Sequence, residues 1–325
     1  MAQVETMQGP VDVDDLGPTL MHEHVFVLNT EHLQNYGEGA WWDEEQQVAD
    51  AIEKLRRLGD KGVTTIVDPT VIGLGRYIPR LQRIAPEVPV QIIVATGMYT
   101  YGDLPFVYAQ RGPGAPLGGD EPMVADFVRD ITEGIAGTGV KAAFLKCAVE
   151  HPDLSPGVER ALRAVAVTHK ETGVPITVHT NPGAQTGTKV VDILREEGAD
   201  LTKVVLGHSG DSNDLDHLKS LADTGAILGM DRFGIDIYNS TDDRVSTIVA
   251  LAADGYADRM VLSHDASCYI DWFGPDFMKL HETLTPNWHY EHISDDVLPA
   301  LLDRGVTQAQ IDQMMVTNPK RYFGG

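Results

Sequence analysis

Residues 19–27 read TLMHEHVFV, a short apolar run that is interrupted by two histidines, His22 and His24. Successive side chains of a strand point to opposite faces, so both histidines lie on one side of this run and Glu23 on the other. Two imidazoles on one side of a buried strand can bind a metal ion. Most isolated pairs of this kind are surface or core histidines, so the meaning of this pair depends on the other strands.

Seven further apolar runs alternate with helical patterns along the chain. They lie at residues 63–70, 90–99, 142–149, 175–181, 204–209, 226–233 and 260–267. Stretches such as TTIVD and VVLGH are almost continuously apolar, which is typical of strands buried on both faces of a parallel sheet. Eight such strands predict either a closed barrel or a doubly wound open sheet. The sequence contains no GxGxxG or GxxxxGK[ST] loop to favour the open sheet.

Ligand-type side chains lie at the C-terminal ends of five of these runs. They are His22, His24, Lys146, His179, His208 and Asp265. In a barrel all these strand ends meet at one face, whereas an open sheet would spread them along a line. We therefore predict a single-domain (β/α)8 TIM barrel over residues 1–325, with a metal site at the C-terminal strand ends.

Each ligand taken singly also has a structural explanation. An isolated His179 or His208 would more often be a hydrogen-bonded core histidine than a ligand. Lys146 is harder to explain, because lysine is rarely buried without a partner, and a buried carboxylate is the alternative. Alternation places Asp265 inward and its neighbour His264 outward, under a helix. We further expect residues 1–18 to form a hairpin at the bottom of the barrel.

The chain is strongly acidic. It has 25 Lys+Arg against 48 Asp+Glu, a formal net charge of −23. Such a balance argues against nucleic acid, which needs a basic surface, and against an anionic membrane. It does not disfavour a neutral small-molecule substrate, and a gain in solubility explains it equally well.

The sequence also predicts a cytoplasmic setting. Its two cysteines, Cys147 and Cys268, form neither a disulfide framework nor a zinc-binding CxxC pair. The first ten residues lack the basic and apolar segments of a secretory signal. No apolar run approaches the roughly 20 residues of a membrane span.

The whole pattern resembles the amidohydrolase superfamily: HxH on the first strand, Lys on the fourth, His on the fifth and sixth, and Asp on the eighth. More narrowly, it resembles the phosphotriesterase family and its branch of phosphotriesterase-like lactonases. The resemblance runs from LMHEHVFVL at 20–28 through LGHSGD at 206–211 and LSHDAS at 262–267 to NPKRYF at 318–323.

This resemblance implies two divalent metal ions, with zinc the first choice and cobalt, iron or manganese also suitable. It implies that Lys146 carries a carbamate derived from carbon dioxide. His22, His24 and Asp265 would then bind one ion, and His179 and His208 the other. The carbamate and a hydroxide would bridge the ions, and this hydroxide would attack the substrate. The family also suggests a homodimer.

Substrate contacts are expected from three loops. By the resemblance, Tyr99 after the third strand and Arg232 after the seventh are catalytic together with Asp265, which accepts a proton and passes it to the leaving alkoxide. Apart from the resemblance, the alternatives are that Tyr99 is an ordinary core tyrosine and Arg232 a solvated arginine. We predict that the substrate-binding residues are Tyr99, Arg232, Trp272, Phe26, Ile270 and Phe273.

The long loop at residues 267–293 carries many aromatic and apolar side chains. They are Tyr269, Ile270, Trp272, Phe273, Phe277, Met278, Trp288 and Tyr290. Long loops of this kind often form lids or binding surfaces, and an apolar cleft would hold an acyl chain. A short helix packed on the barrel, or a dimer contact, is the structural alternative.

Taken together, these features predict a hydrolase that opens lactones, above all N-acyl-homoserine lactones as in quorum quenching, with weak organophosphate triesterase activity. A true phosphotriesterase, an esterase or an amidase on the same metals is an open alternative. A barrel that binds metal without catalysis is another.

Overall fold

The computed structural model describes residues 2–37, 42–273, 281 and 283–324. The strands are β1 (Gln3–Thr6), β2 (Gly9–Asp12), β3 (Thr19–Leu20), β4 (His24–Val27), β5 (Thr65–Asp68), β6 (Gln91–Gly97), β7 (Phe144–Val149), β8 (Ile176–Thr180), β9 (Val204–Gly207), β10 (Ile227–Met230), β11 (Met260–Leu262) and β12 (Ser267–Ile270). The helices are α1 (Thr30–Tyr36), α2 (Glu44–Asp60), α3 (Ile78–Ile84), α4 (Phe106–Ala109), α5 (Pro122–Thr132), α6 (Pro156–Thr172), α7 (Thr186–Glu196), α8 (Leu215–Ala222), α9 (Thr241–Ala253), α10 (Leu298–Asp303), α11 (Gln308–Asp312) and α12 (Asn318–Gly324). Two π-helical turns, Ile293–Val297 and Gln313–Thr317, precede α10 and α12.

Eight parallel strands form the barrel, in the order β3, β5, β6, β7, β8, β9, β10 and β11. The ring closes between its first and last strands through the backbone. Met21 N–H donates to the Leu262 carbonyl (3.3 Å), and Asp265 N–H donates to the His22 carbonyl (3.0 Å). The predicted (β/α)8 barrel is thereby confirmed.

The predicted first strand at residues 19–27 is in fact two strands. Only β3 belongs to the barrel ring, while β4 leaves it and pairs in parallel with β12. Between them, His22 N–H donates to the Ser263 hydroxyl and Glu23 N–H to the Val67 carbonyl. These bonds to both neighbouring strands bend the chain at the HEH motif.

Apolar side chains form one layer inside the barrel and one between the strands and the helices. The inner layer includes Met21, Ile93 and Phe144, and the outer one includes Leu55 and Leu58 of α2. Strands that are apolar on both faces are therefore buried on both faces, as their sequences indicate.

Helix ends follow their sequence signals. The Asp43 side chain caps α2 by accepting from Gln46 N–H. Gly173 ends α6 in the left-handed conformation, with φ of 76°, which a residue without Cβ adopts at no steric cost. Thr307 and Gln310 form a capping box at the start of α11.

The N-terminal strands β1 and β2 form an antiparallel hairpin. Its turn contacts the start of β6, where Met7 N–H donates to the Ile92 carbonyl (2.8 Å). The hairpin therefore lies at the end of the barrel opposite the C-terminal strand ends. Within the described ranges, no helix is long and apolar enough to cross a membrane.

Candidate metal centre

All six predicted ligands come together at the carboxyl ends of the strands. His22 and His24 border the bend between β3 and β4, Lys146 lies in β7, His179 in β8, His208 directly after β9, and Asp265 after β11. Together they line a cavity of about 290 Å³. The barrel thus brings to one site residues that lie up to 243 positions apart in the sequence.

Four imidazoles and one carboxylate lie close enough to share cations. The Nε2 atoms of His22 and His24 each lie 3.3 Å from Oδ1 of Asp265. These three side chains offer ligand atoms that are all within 4.8 Å of one another. Beside them, Nε2 of His208 lies 2.8 Å from Nδ1 of His179.

Carboxylates hold the outer ring nitrogens of three of these histidines. The Nδ1 atoms of His22 and His208 lie 2.8 and 3.0 Å from the two oxygens of Asp231. Nε2 of His179 lies 2.7 Å from Glu150 Oε2, and this hydrogen bond lowers the pKa of Glu150. An ionised carboxylate only accepts hydrogen bonds, so each of these outer nitrogens carries the proton. The nitrogens that face the cavity are left with free lone pairs.

The donor set fits a metal ion. Burial lowers the pKa of His179 to about 4 and that of His208 well below its usual value, so both rings are neutral near pH 7. Two nitrogen lone pairs that face each other at 2.8 Å repel unless a cation lies between or beside them. Neutral imidazoles with outer carboxylate partners are the usual environment of protein-bound transition metals.

Lys146 is buried among these histidines. Its Nζ lies 3.3 Å from His22 Nε2, and it makes no ion pair with any carboxylate that the structure describes. Burial lowers the pKa of this lysine to about 8, so part of the population is a neutral amine at neutral pH. A neutral amine is the form that reacts with carbon dioxide.

Two of the candidate ligands adopt a strained backbone. His208 has φ of 66° and Asp265 has φ of 55°, in the left-handed region that residues other than glycine rarely occupy. Such strain persists only where the surrounding structure imposes it, and it is concentrated at functional sites.

Arg232 binds the outer side of Asp265. Its Nε donates to Asp265 Oδ2 (3.2 Å) and its Nη1 to Asp211 Oδ2 (2.9 Å), while Arg244 holds the other oxygen of Asp211. The ring of Tyr238 stacks on the guanidinium at 5.0 Å. Burial opposes the charge on Asp265, but the neighbouring histidines and Arg232 outweigh it and hold its pKa well below the usual range.

Tyr99 lies against the same ligands. Its hydroxyl is 3.3 Å from His179 Nδ1 and hydrogen-bonds with the hydroxyl of Tyr101. Burial raises the pKa of Tyr99 well above its usual value, so this hydroxyl keeps its proton and can donate it in a hydrogen bond.

The cavity wall is mostly apolar. Five of the six predicted substrate-binding residues line it: Tyr99, Arg232, Ile270, Trp272 and Phe273. Trp272 and Phe273 are also exposed at its rim. Ile237 and Tyr238 of the loop after β10 complete this exposed rim.

Other parts of the loop at 267–293 have a packing role. Tyr269 packs on Trp42, and Tyr290 is buried with its hydroxyl donating to the His24 carbonyl. The loop therefore both lines the cavity and packs on the barrel. Phe277 and Met278 lie outside the described residues.

Phe26 is placed differently from the prediction. It packs edge-on against Trp42, and the guanidinium of Arg80 lies 5.5 Å from its ring, in the layer between strands and helices. Val27 lines the cavity in its place. The physical reason is that β4 has left the barrel ring, so strand alternation no longer separates inside from outside there.

Sequence reasoning missed the residues that hold the ligands. Asp231 and Glu150 bond the outer ring nitrogens of the histidines. Glu23 accepts from the backbone N–H groups on either side of Asp265, and Asp211 accepts from Arg232. Tyr101 was also missed, although it lies two positions beyond Tyr99 and alternation places the two on the same side.

Comparison with known proteins agrees with this geometry. Residues 2–323 match the phosphotriesterase family. The solved structure of the phosphotriesterase from Mycobacterium tuberculosis is 53% identical, covers 99% of this chain and 98% of its own, and superposes with a TM-score of 0.96. An aryldialkylphosphatase from Saccharolobus solfataricus is 38% identical over 96% of both chains. A second solved structure is 33% identical to this chain, covers 99% of this chain and 100% of its own, and has a TM-score of 0.90. It comes from the molecular engineering of organophosphate hydrolysis activity from a weak promiscuous lactonase template.

Proposed function

This chain belongs to the phosphotriesterase family of binuclear metal hydrolases, and from that premise we propose that it opens lactones, N-acyl-homoserine lactones above all. One observation carries the proposal. The cavity has metal-type donors and Tyr99 on its floor, while the walls that lead out of it are apolar and aromatic. The polar, electrophilic ring of such a lactone would lie on the floor, and its apolar acyl tail would lie along the walls.

We propose that Lys146 becomes a carbamate. The neutral Nζ attacks the carbon of carbon dioxide, an N–C bond forms, one C=O π bond opens with its electron pair moving to oxygen, and the nitrogen releases one proton to solvent. The resulting anion would hold two divalent ions together with His22, His24, Asp265, His179 and His208. The ions, when bound, would polarise the attacked group and provide an ionised water as nucleophile.

The protein's own groups then orient the substrate and move a proton. The Tyr99 hydroxyl would donate a hydrogen bond to the lactone. Asp265 would take a proton on its carboxylate and pass it to the leaving alkoxide. Arg232, fixed by Asp211, keeps Asp265 oriented towards the histidines.

Phosphotriester hydrolysis is the second candidate, favoured by the relative that is an aryldialkylphosphatase. We propose it as a weaker activity of the same site. The test is kcat/KM for a series of N-acyl-homoserine lactones and for paraoxon, with chelator-treated protein as the control. We expect the best lactone to exceed paraoxon. The reverse order would make this a phosphotriesterase first, and metal-loaded protein without turnover would support a non-catalytic barrel.

A homodimer is also proposed, on the family resemblance alone, and a cytoplasmic location on the sequence features given above. Sedimentation equilibrium would test the dimer, since a single 35.4 kDa species would exclude it.

Replacing Tyr99 by Phe should lower kcat/KM for lactones about fivefold, because a hydrogen bond worth about 1 kcal/mol is lost. Metal content should stay at the wild-type value. Tyr256→Phe, which removes a surface hydroxyl bonded to Asp223, is the matched control. An unchanged rate would leave Tyr99 with a packing role only.

Shortening Trp272 should change the preference for chain length. We expect Trp272→Ala to lower the ratio of kcat/KM for decanoyl- over butanoyl-homoserine lactone about tenfold, as roughly 1.4 kcal/mol of apolar contact is lost. Phe106→Ala is the control, because Phe106 is 84% exposed and does not line the cavity. Equal losses for both substrates would mean that the tail lies elsewhere.

A further inference from the structure

Asp231 is a fully buried carboxylate directly after β10. Its Oδ2 lies 2.8 Å from Nδ1 of His22, and its Oδ1 lies 3.0 Å from Nδ1 of His208. Oδ1 also accepts the backbone N–H of His208 (2.7 Å). One carboxylate thus holds two histidines whose rings lie 5.1 Å apart.

The fold keeps a space open for this carboxylate. A Cβ at Gly229 would come within 2.6 Å of Asp231 Oδ2, and one at Gly207 within 3.3 Å. Both glycines belong to barrel strands, β10 and β9, where glycine weakens a strand and often marks a close approach. The two missing side chains allow the carboxylate to lie between the strands and reach both rings.

We infer that Asp231 is a positioning residue shared by both ions of the centre, and this inference rests on the proposed binuclear function. In the proposed ligand set His22 belongs to one ion and His208 to the other. Asp231 accepts from Nδ1 of each, so it turns both Nε2 lone pairs towards the cavity at once. Glu150 gives the contrast, because among the ligands it bonds His179 alone.

The first test is metal affinity in full-length protein. Zinc binding is measured by elemental analysis at a series of buffered free zinc concentrations, for wild type, Asp231→Ala and Glu150→Ala. Loss of a ligand's outer partner typically weakens metal binding about 10–100-fold. We expect Asp231→Ala to weaken both equivalents by about tenfold or more and Glu150→Ala to weaken only one.

The outcomes separate the two claims. If wild type fails to bind two equivalents, the proposed function and the inference fall together. If wild type binds two and Asp231→Ala weakens only one or neither, the inference alone is overturned. Circular dichroism of the metal-free variants shows whether each one is folded.

A second test observes wild type and does not depend on any variant of Asp231. Nitrogen-15 NMR of the histidine rings in metal-free wild type reports which ring nitrogen carries the proton, with His22→Asn and His208→Asn used to assign the signals. We expect both rings to be protonated at Nδ1 and free at Nε2. A proton on Nε2 of either ring would overturn the inference.

Discussion

Lys146→Met should remove both metal binding and catalysis. Methionine matches the buried lysine side chain as far as Cε but has no amine, so no carbamate can form. We expect metal content to fall from two ions to fewer than one per chain. The variant would lose the stabilisation of the transition state by two metal ions, worth about 4 kcal/mol. We therefore expect kcat/KM to fall about 1,000-fold for lactones and paraoxon alike.

The measurements are elemental analysis and steady-state rates on the same preparations. Lys141→Met is the matched control, because this lysine precedes the same strand but is partly exposed and lies 3.9 Å from Glu5. The control should retain both ions and the wild-type rate. Retention of both ions in Lys146→Met, with a rate within tenfold of wild type, would contradict the proposed role of the lysine.

The fold was predictable because its signals are local. Runs such as IIVAT in β6 and VVLG in β9 are almost continuously apolar, and a strand buried on both faces needs that pattern. The meeting of the six candidate ligands at one cavity was predictable for a related reason. Each has an unusual side chain for the end of a buried strand, and a barrel brings all strand ends to one face.

The details that sequence could not supply depend on long-range contacts. Phe26 was misplaced because β4 leaves the ring to pair with β12, and that pairing is set by residues about 240 positions away. Asp231 follows β10 next to the predicted Arg232, yet its role depends on two histidines from other strands. An aspartate in a buried run was the available signal, but it did not identify the partners.

Glu23 has a structural role that the HEH motif alone does not indicate. Between the two histidines of HEH, its carboxylate is fully buried at the closing seam of the barrel. Oε1 accepts from the Ser263 hydroxyl (2.8 Å) and from both the backbone N–H and Nδ1 of His264 (2.8 and 2.6 Å), and Oε2 accepts from Ala266 N–H (3.0 Å). Its partners include both chain neighbours of Asp265, so Glu23 fixes the backbone that presents this ligand.

Glu23→Gln should therefore destabilise the barrel and loosen the metal centre together. The glutamine amide has one oxygen where glutamate has two, so its NH₂ group would face one of the donors. One buried charge-assisted hydrogen bond would then be lost, which lowers the free energy of unfolding by about 3 kcal/mol. At about 2 °C per kcal/mol, the midpoint of thermal unfolding should fall about 6 °C. Because Asp265 loses its support, the variant should also release metal to a chelator faster than wild type.

Glu133→Gln, at an exposed position after α5, is the control and should leave both the midpoint and the chelation rate unchanged. The midpoint of thermal unfolding and the rate of metal release together show whether Glu23 supports Asp265 or only stabilises the fold. A lower midpoint with wild-type metal release would mean that Glu23 stabilises the fold without supporting Asp265. If the bonds of Glu23 hold the ring closed, replacing this buried carboxylate, which accepts from four donors, must lower the free energy of unfolding. An unchanged midpoint would therefore show that these bonds do not hold the ring closed.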